Sequence, residues 1–159
     1  MTLIWITGYP GAGKTTTALK LKEVLKEEHK FVLHLDGDDL RDCLCNYNYT
    51  LSSRKMLAMS YSRLATMLSK QVDHVVVSTF SFFPEVYKNN RENSDSYLEV
   101  LLKPPKKRLM KSRPNIFRGN ETTDLFPKLI PPQSPHILID EDPYPDCAAI
   151  VQEICRHVA

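Results

Sequence analysis

Short apolar runs alternate with longer segments of helical periodicity along the chain. Five runs have the length and apolar character of strands that are buried on both faces. They occupy residues 3–7, 31–35, 74–78, 97–102 and 136–139. Strands that alternate with helices in this way form a parallel sheet covered on both faces. The pattern therefore predicts an α/β fold built on a five-stranded parallel sheet.

Apolar residues at three- and four-residue spacing predict helices between these strands. The predicted helices cover residues 14–28, 52–70 and 146–157, with a short helix around residues 106–111. The stretch 103–135 breaks the alternation, because it carries seven of the chain's 11 prolines and a basic cluster. We therefore expect a single domain over residues 1–159, with a mobile, lid-like flap at about residues 103–128.

Composition and charge narrow the class of protein. The net charge is only +2, from 21 basic and 19 acidic residues, so no basic field favours nucleic acid as a partner. No apolar run approaches the roughly 18 residues of a membrane span. The N-terminus lacks the basic region and cleavage site of a signal peptide. We therefore expect a cytoplasmic protein.

The cysteines do not have the spacing of a zinc site. Cys43 and Cys45 are two residues apart on a predicted helix, so they point to different faces. Cys147 and Cys155 belong to the last predicted helix and share its buried side. All four are predicted to be reduced structural thiols.

A glycine-rich loop follows the first predicted strand. The segment GYPGAGKT, residues 8–15, matches the phosphate-binding pattern GxxxxGK[ST] and precedes a predicted helix. Backbone N–H groups of such a loop bind phosphate oxygens where no Cβ intervenes, and the helix N-terminus adds positive charge. The lysine reaches the β- and γ-phosphates, and the first threonine hydroxyl takes a Mg²⁺ position. A nucleoside triphosphate site is therefore predicted at Gly8, Gly11, Ala12, Gly13, Lys14, Thr15 and Thr16.

A second polar motif, LDGDDLR at residues 35–41, follows the second predicted strand. Ligands of doubly wound sheets bind at the C-terminal ends of the strands, so Asp36 and Asp38 are expected to face the phosphates. One carboxylate can hold Mg²⁺ while the other accepts a proton from an attacking hydroxyl. Arg41 lies one helical turn beyond Asp38 and can bind a phosphate or sulfate group of an acceptor. The alternative is a turn with a helix N-cap.

Two further groups lie at strand ends. Phe80 ends the third predicted strand, where it can stack on a base, whereas the neighbouring Phe82 and Phe83 are predicted to be core residues. Asp140 and Glu141 follow the last strand and resemble the Mg²⁺-binding strand of an ATPase. Because only one helix comes after them, a capped turn is the preferred interpretation.

These motifs resemble the adenylylsulfate (APS) kinase family of P-loop kinases. The resemblance rests on GYPGAGKTT, LDGDDLR, STFSFFPE, LEVLLKPP and PPQSPHILID, which span most of the chain. It implies the P-loop kinase fold, ATP and Mg²⁺ as cofactors, and phosphorylation of the 3′-hydroxyl of a nucleotide. Thr15 and Asp36 would serve the metal, and Lys14, Asp36 and Asp38 the catalysis. Dimers are common in the family, so a homodimer is also expected.

The resemblance further implies an acceptor site. It places Arg41 and Arg54 at the phosphate-sulfate end of the acceptor, Tyr49 near its base, and Ser81 in contact with it. Phe117 stands in for the aromatic residue of the family's lid, and Arg113 and Arg118 for its basic residues. Arg108, Arg113 and Arg118 are the candidates for the arginines that close over the transfer.

The chain departs from the family where the acceptor is recognised. Leu57, Met59 and Ser60 replace an asparagine and paired arginines, and RPNIFRG at residues 113–119 replaces the lid motif. Because a polar site rejects analogues that lack its hydrogen-bonding groups, these losses favour a changed acceptor or a reshaped pocket. APS, another nucleotide such as cytidine diphosphoramidate, and a small alcohol all stay open. A regulatory NTPase and a binding module without turnover are the rival classes.

Overall fold

The computed structural model describes residues 1–118 and 128–158, and its centre is one parallel sheet. Five strands run in the order β2-β3-β1-β4-β5, and each pair of neighbours is parallel. This arrangement confirms the predicted five-stranded sheet. The strands are β1 Thr2–Gly8, β2 Val32–Asp36, β3 His74–Thr79, β4 Tyr97–Leu102 and β5 Ile137–Ile139.

Helices connect the strands, and the four predicted ones are present. The helices are α1 Lys14–Glu27, α2 Gly37–Cys43, α3 Leu51–Leu68, α4 Pro84–Asn93, α5 Lys106–Ser112, α6 Pro114–Arg118 and α7 Cys147–Val158. Helix α4 was not predicted, because only Val86, Tyr87 and Asn90 of its ten residues are buried and its apolar stripe is weak. The placement of Cys45 on a helix was wrong, since α2 ends at Cys43 and Cys45 adopts a positive φ of 48°.

Each face of the sheet packs against its own apolar core. Successive side chains of a strand point to opposite faces, so Ile4 and Ile6 belong to a first core under α1 and α7. Leu3 and Trp5 belong to a second core under α3 and α4. All four side chains are fully buried. Helices therefore cover both faces, as the strand pattern predicted.

Several smaller expectations can be compared with this fold. All four cysteines are free, and Cys147 and Cys155 pack against the first core. Over residues 1–118 and 128–158, no helix is long and apolar enough to cross a membrane. Part of the predicted flap and the side chain of Arg118 lie outside the described residues.

Candidate active site

The glycine loop joins β1 to α1 at the centre of the sheet. Gly11 and Gly13 adopt φ values of 83° and 90°, a region that residues with a Cβ rarely occupy. At Gly8 a Cβ would collide with the carbonyl oxygen of Leu102 on the neighbouring strand. The Ala12 amide donates to the Tyr9 carbonyl over 3.1 Å and closes the loop. Glycine is therefore required at these three positions for two different physical reasons.

Lys14 lies at the mouth of this loop, at the first residue of α1. Its ammonium group donates a hydrogen bond of 2.9 Å to the carbonyl oxygen of Tyr9. Burial lowers the pKa of Lys14 to about 8, although the carboxylates of Asp38 and Asp36 oppose this shift and Arg113 adds to it. A phosphate would offer this ammonium a stronger acceptor than a carbonyl, because both partners would be charged. Thr16 follows in the first turn of α1 and is exposed.

Asp36 ends β2, and its carboxylate connects three elements of the site. Its Oδ2 atom accepts hydrogen bonds of 2.7 Å from the hydroxyls of Thr15 and of Ser78. Its Oδ1 atom accepts a 2.9 Å hydrogen bond from the Asp38 amide and thereby caps α2. Partial burial opposes ionisation of Asp36, but these hydrogen bonds outweigh it and lower its pKa. The structure thus brings together Thr15 and Asp36, the two residues that the resemblance assigns to the metal.

Two further residues position Asp36, and the sequence did not single them out. Ser78 lies on β3 directly opposite Asp36 in the parallel register. Nε2 of His34 lies 2.8 Å from the Ser78 hydroxyl. His34, two residues before Asp36 on β2, points to the same face of the sheet. The alternation of side chains along a strand could have indicated that His34 and Asp36 share one face of the sheet.

Asp38 has a different environment from Asp36. It lies in the first turn of α2 and is exposed, whereas Asp36 is half-buried. Its charge is near enough to Lys14 to raise the lysine's pKa. The carboxylate is thus open to a ligand that approaches the mouth of the loop.

Arg41, Tyr49 and Arg54 form one cluster at the end of α2 and the start of α3. The two guanidinium carbons lie 4.5 Å (Arg41) and 5.1 Å (Arg54) from the centre of the Tyr49 ring. Arg41 also donates to the carbonyls of Asn46 and Asn48, at 2.9 and 3.1 Å, and Arg54 to that of Tyr49, at 3.0 Å. Tyr49 is 52% exposed. The structure therefore brings together three of the predicted acceptor residues, with two cations on one aromatic ring.

Aromatic residues continue this surface at the end of β3. The half-buried Phe80 packs edge-on against Phe82, with 5.1 Å between the ring centres. The Lys14 ammonium lies 6.0 Å from the centre of the Phe80 ring, so Phe80 does border the loop. Ser81 is only 1% exposed, and its hydroxyl has no hydrogen-bond partner among the described residues. As predicted, Phe82 and Phe83 are core residues.

The segment of α5 and α6 lies against the glycine loop. The Ser112 hydroxyl donates to the Gly11 carbonyl over 3.1 Å. A Cβ on Gly11 would collide with Ser112 and Arg113. Arg108 instead lies over the ring of Tyr144, at 4.9 Å. Of the described lid arginines, Arg113 is therefore the one near the phosphate site.

Other residues that the sequence singled out belong to other parts of the fold. Phe117 packs against the first core, on the opposite face of the sheet from the core that α3 covers. Asp140 and Glu141 follow β5, at the opposite edge of the sheet from β2 and Asp36. Leu57 is 4% exposed and belongs to the second core, and its interpretation as a changed acceptor contact stays a prediction.

The family of the chain follows from its sequence once this geometry is known. The model of the adenylylsulphate kinase family matches residues 1–115, which include the glycine loop, Asp36, Asp38 and the arginine–tyrosine cluster. The chain belongs to the adenylylsulphate kinase family. The resemblance seen in the motifs is thereby confirmed.

Similar proteins include a cytidine diphosphoramidate kinase and an adenylyl-sulfate kinase. This chain is 39% identical over 100 residues to the cytidine diphosphoramidate kinase of Campylobacter jejuni, and the match covers 63% of this chain and 59% of that protein. It is 36% identical over 106 residues to the adenylyl-sulfate kinase of Pseudomonas aeruginosa, with 65% and 54% covered. The chain thus matches less than two thirds of the length of either relative.

Solved structures confirm the P-loop kinase fold. The APS kinase of Mycobacterium tuberculosis, in a complex with AMPPNP and APS, superposes with a TM-score of 0.80 at 21% sequence identity. The superposition covers 98% of this chain and 95% of that one.

Proposed function

We propose that this protein is a kinase that transfers the γ-phosphoryl group of ATP to the 3′-hydroxyl of a nucleotide. The observation that carries the proposal is that Asp38, whose charge acts on Lys14 beside the Thr15–Asp36 pair, lies on the same short helix as Arg41 of the arginine–tyrosine cluster. The first group suits a triphosphate, and the second suits a ligand that has both an anionic group and an aromatic base. Membership of the family supports the same reaction.

The residues of the loop fit a magnesium ion. Mg²⁺ prefers oxygen ligands, such as hydroxyls, carboxylates and phosphates. The hydroxyl of Thr15 and the carboxylate of Asp36 lie 2.7 Å apart beside the loop and offer such oxygens. These two residues would hold the ion, which neutralises charge on the β- and γ-phosphates when it is bound.

Asp38 is the proposed general base. The acceptor oxygen attacks the γ-phosphorus, its proton passes to the Asp38 carboxylate, and the bond to the β–γ bridging oxygen breaks to release ADP. Asp36 is unsuited to this task, because its oxygens already accept three hydrogen bonds and its pKa is lowered. The exposed Asp38 can approach the acceptor hydroxyl. Lys14 contributes electrostatic stabilisation of the transferred group.

The acceptor has two candidates within the same reaction. APS follows from the family, and cytidine diphosphoramidate from the relative in C. jejuni. Met59 and Ser60 stand in place of paired arginines, so the acceptor half lacks guanidinium groups that could hydrogen-bond an acceptor. This loss suits a changed acceptor, for which the cytidine compound is the second candidate. A homodimer, a cytoplasmic location and a closing lid at about residues 103–128 stay predictions.

The experiment compares kcat/KM for APS, cytidine diphosphoramidate and the 3′-deoxy analogue of each, with Mg·ATP in excess. We expect turnover with at least one of the two acceptors and none with its 3′-deoxy analogue. Lys14→Ala is the control for a contaminating kinase, because it removes the charge from the phosphate site. ATP hydrolysis at the same rate with and without acceptor would contradict the proposal.

A further inference from the structure

Tyr61 is a buried tyrosine of α3 that the mechanism above does not use. Its side chain is 4% exposed, and its hydroxyl oxygen has no hydrogen-bond partner among the described residues. A buried hydroxyl without a partner is destabilising. Most buried polar groups of proteins are paired, so an exception of this kind requires an explanation.

Tyr61 lies on the same helix as Arg54 of the acceptor cluster. It follows Arg54 by two helical turns, so both residues share one face of α3. Side chains of a helix lean towards its N-terminus, which directs the phenol back towards Arg54. Burial raises the pKa of Tyr61, and the charges of Arg41, Asp38 and Tyr49 also act on it. The hydroxyl is therefore within electrostatic reach of the proposed base and of two members of the cluster.

The buried Tyr87 and the half-buried Tyr97 both have paired hydroxyls. The Tyr97 hydroxyl donates to the Glu99 carboxylate over 2.7 Å, and the Tyr87 hydroxyl donates to the Ser81 carbonyl over 2.8 Å. Tyr61 differs from both, because its hydroxyl is unpaired within the described part of the chain and the charges of Arg41 and of the proposed base act on it. An anionic group that binds Arg41 and Arg54 would supply the acceptor that the phenol lacks. A hydrogen bond to a charged partner is about twice as strong as one between neutral groups.

We propose that the hydroxyl of Tyr61 contributes to acceptor binding by donating a hydrogen bond to the phosphate-derived group at the 5′ end of the nucleotide. The inference rests on the proposed function and adds a residue to its acceptor site. The Tyr61 hydroxyl has no hydrogen-bond partner among the described residues of the free protein, and it gains one only when the acceptor binds. Removal of the hydroxyl should therefore harm acceptor binding without harming the fold.

The test uses Tyr61→Phe, with Tyr97→Phe as the matched control. Tyr97 begins β4, at the end of the sheet away from the glycine loop, and its hydroxyl is paired. For Tyr61→Phe we expect kcat/KM for the preferred acceptor (APS or cytidine diphosphoramidate) to fall roughly 10- to 100-fold. The KM for ATP should stay within twofold of wild type, and Tm should be unchanged or higher. Tyr97→Phe should lower Tm and leave both kinetic constants unchanged.

Two results would overturn the inference alone. One is that the wild-type protein phosphorylates an acceptor and that kcat/KM of Tyr61→Phe for this acceptor stays within twofold of the wild-type value. The other is a fall in Tm for Tyr61→Phe equal to that for Tyr97→Phe, which would mean that the hydroxyl is already paired in the free protein. Calorimetric titration of wild type with each acceptor separates these results from failure of the proposed function, since absence of both binding and turnover would overturn the two together.

Discussion

Replacement of Asp38 by asparagine removes the proposed base and keeps the size of the side chain. Asp38 and Asp39 both lie in the first turn of α2 and are both exposed. A negative charge at a helix N-terminus contributes about 0.3–1 kcal/mol to stability. Asp38→Asn and Asp39→Asn should therefore lower the free energy of unfolding by similar, small amounts. The pair of variants separates the electrostatics of the helix from the chemistry of the reaction.

The kinetic effects of the two variants should differ widely. Loss of a general base lowers kcat by roughly 10²–10⁴-fold, which corresponds to about 3–5 kcal/mol of transition-state stabilisation. Asp38→Asn should show this loss, while Asp39→Asn should stay within about twofold of wild type. For Asp39→Asn the KM for ATP should change little at pH 7, because the pKa of Lys14 of about 8 lies above the assay pH. Asp38→Asn removes a charge that raises the pKa of Lys14, so the fall of kcat/KM for ATP with rising pH should begin at a lower pH in this variant.

A coupled assay of ADP release with a saturating acceptor measures these constants, and urea denaturation measures the free energies of unfolding. If Asp38→Asn retained kcat within tenfold of wild type, the assignment of Asp38 as the base would be refuted. An equal loss in Asp39→Asn would refute it as well, because the effect would then belong to the charge of the helix N-terminus.

Three further predictions concern the phosphate site. The kcat/KM for ATP should fall above pH about 8 in a pH-rate profile, because Lys14 in the free enzyme loses its proton there, whereas kcat at saturating ATP should fall only at higher pH. Gly11→Ala should raise the KM for ATP more than tenfold, since its Cβ would collide with Ser112 at a φ of 83°; an unchanged KM would contradict this geometry. Ser78→Ala should lower the free energy of unfolding at pH 7 by about 1 kcal/mol, because it removes a hydrogen bond to the partly exposed carboxylate of Asp36. That difference should vanish in urea titrations as pH falls below 3.8, since the lowered pKa of Asp36 contributes stability only while the carboxylate is ionised.

Local patterns predicted most of the fold. The apolar runs that became β1 and β3 are fully buried on both faces, and burial of this kind leaves a direct trace in the sequence. Helix α4 left a weak trace, because it covers the sheet with three buried residues and exposes the rest. Its start could have been inferred from Pro84, a residue favoured in the first turn of a helix.

The phosphate half of the site was predictable because one continuous loop forms it. The acceptor half is built from α2, α3 and the end of β3, so its contacts depend on tertiary packing. For the same reason, position alone did not show that Leu57 packs in the second core. Ser78 was missed because its partner Asp36 is 42 residues away in sequence. Tyr61 was missed because its burial, and the lack of a partner for its hydroxyl among the described residues, are visible only in the folded structure.

Phosphorus NMR of the reaction product tests the central claim most directly. Wild-type protein would be incubated with Mg·ATP and either cytidine diphosphoramidate or APS until half of the acceptor has been consumed. The account predicts a new phosphomonoester signal whose phosphorus couples to the proton at the 3′ carbon of the ribose, together with one ADP for each phosphoryl group transferred. Inorganic phosphate as the only new phosphorus species beside ADP would contradict it, because the γ-phosphoryl group would then have passed to water.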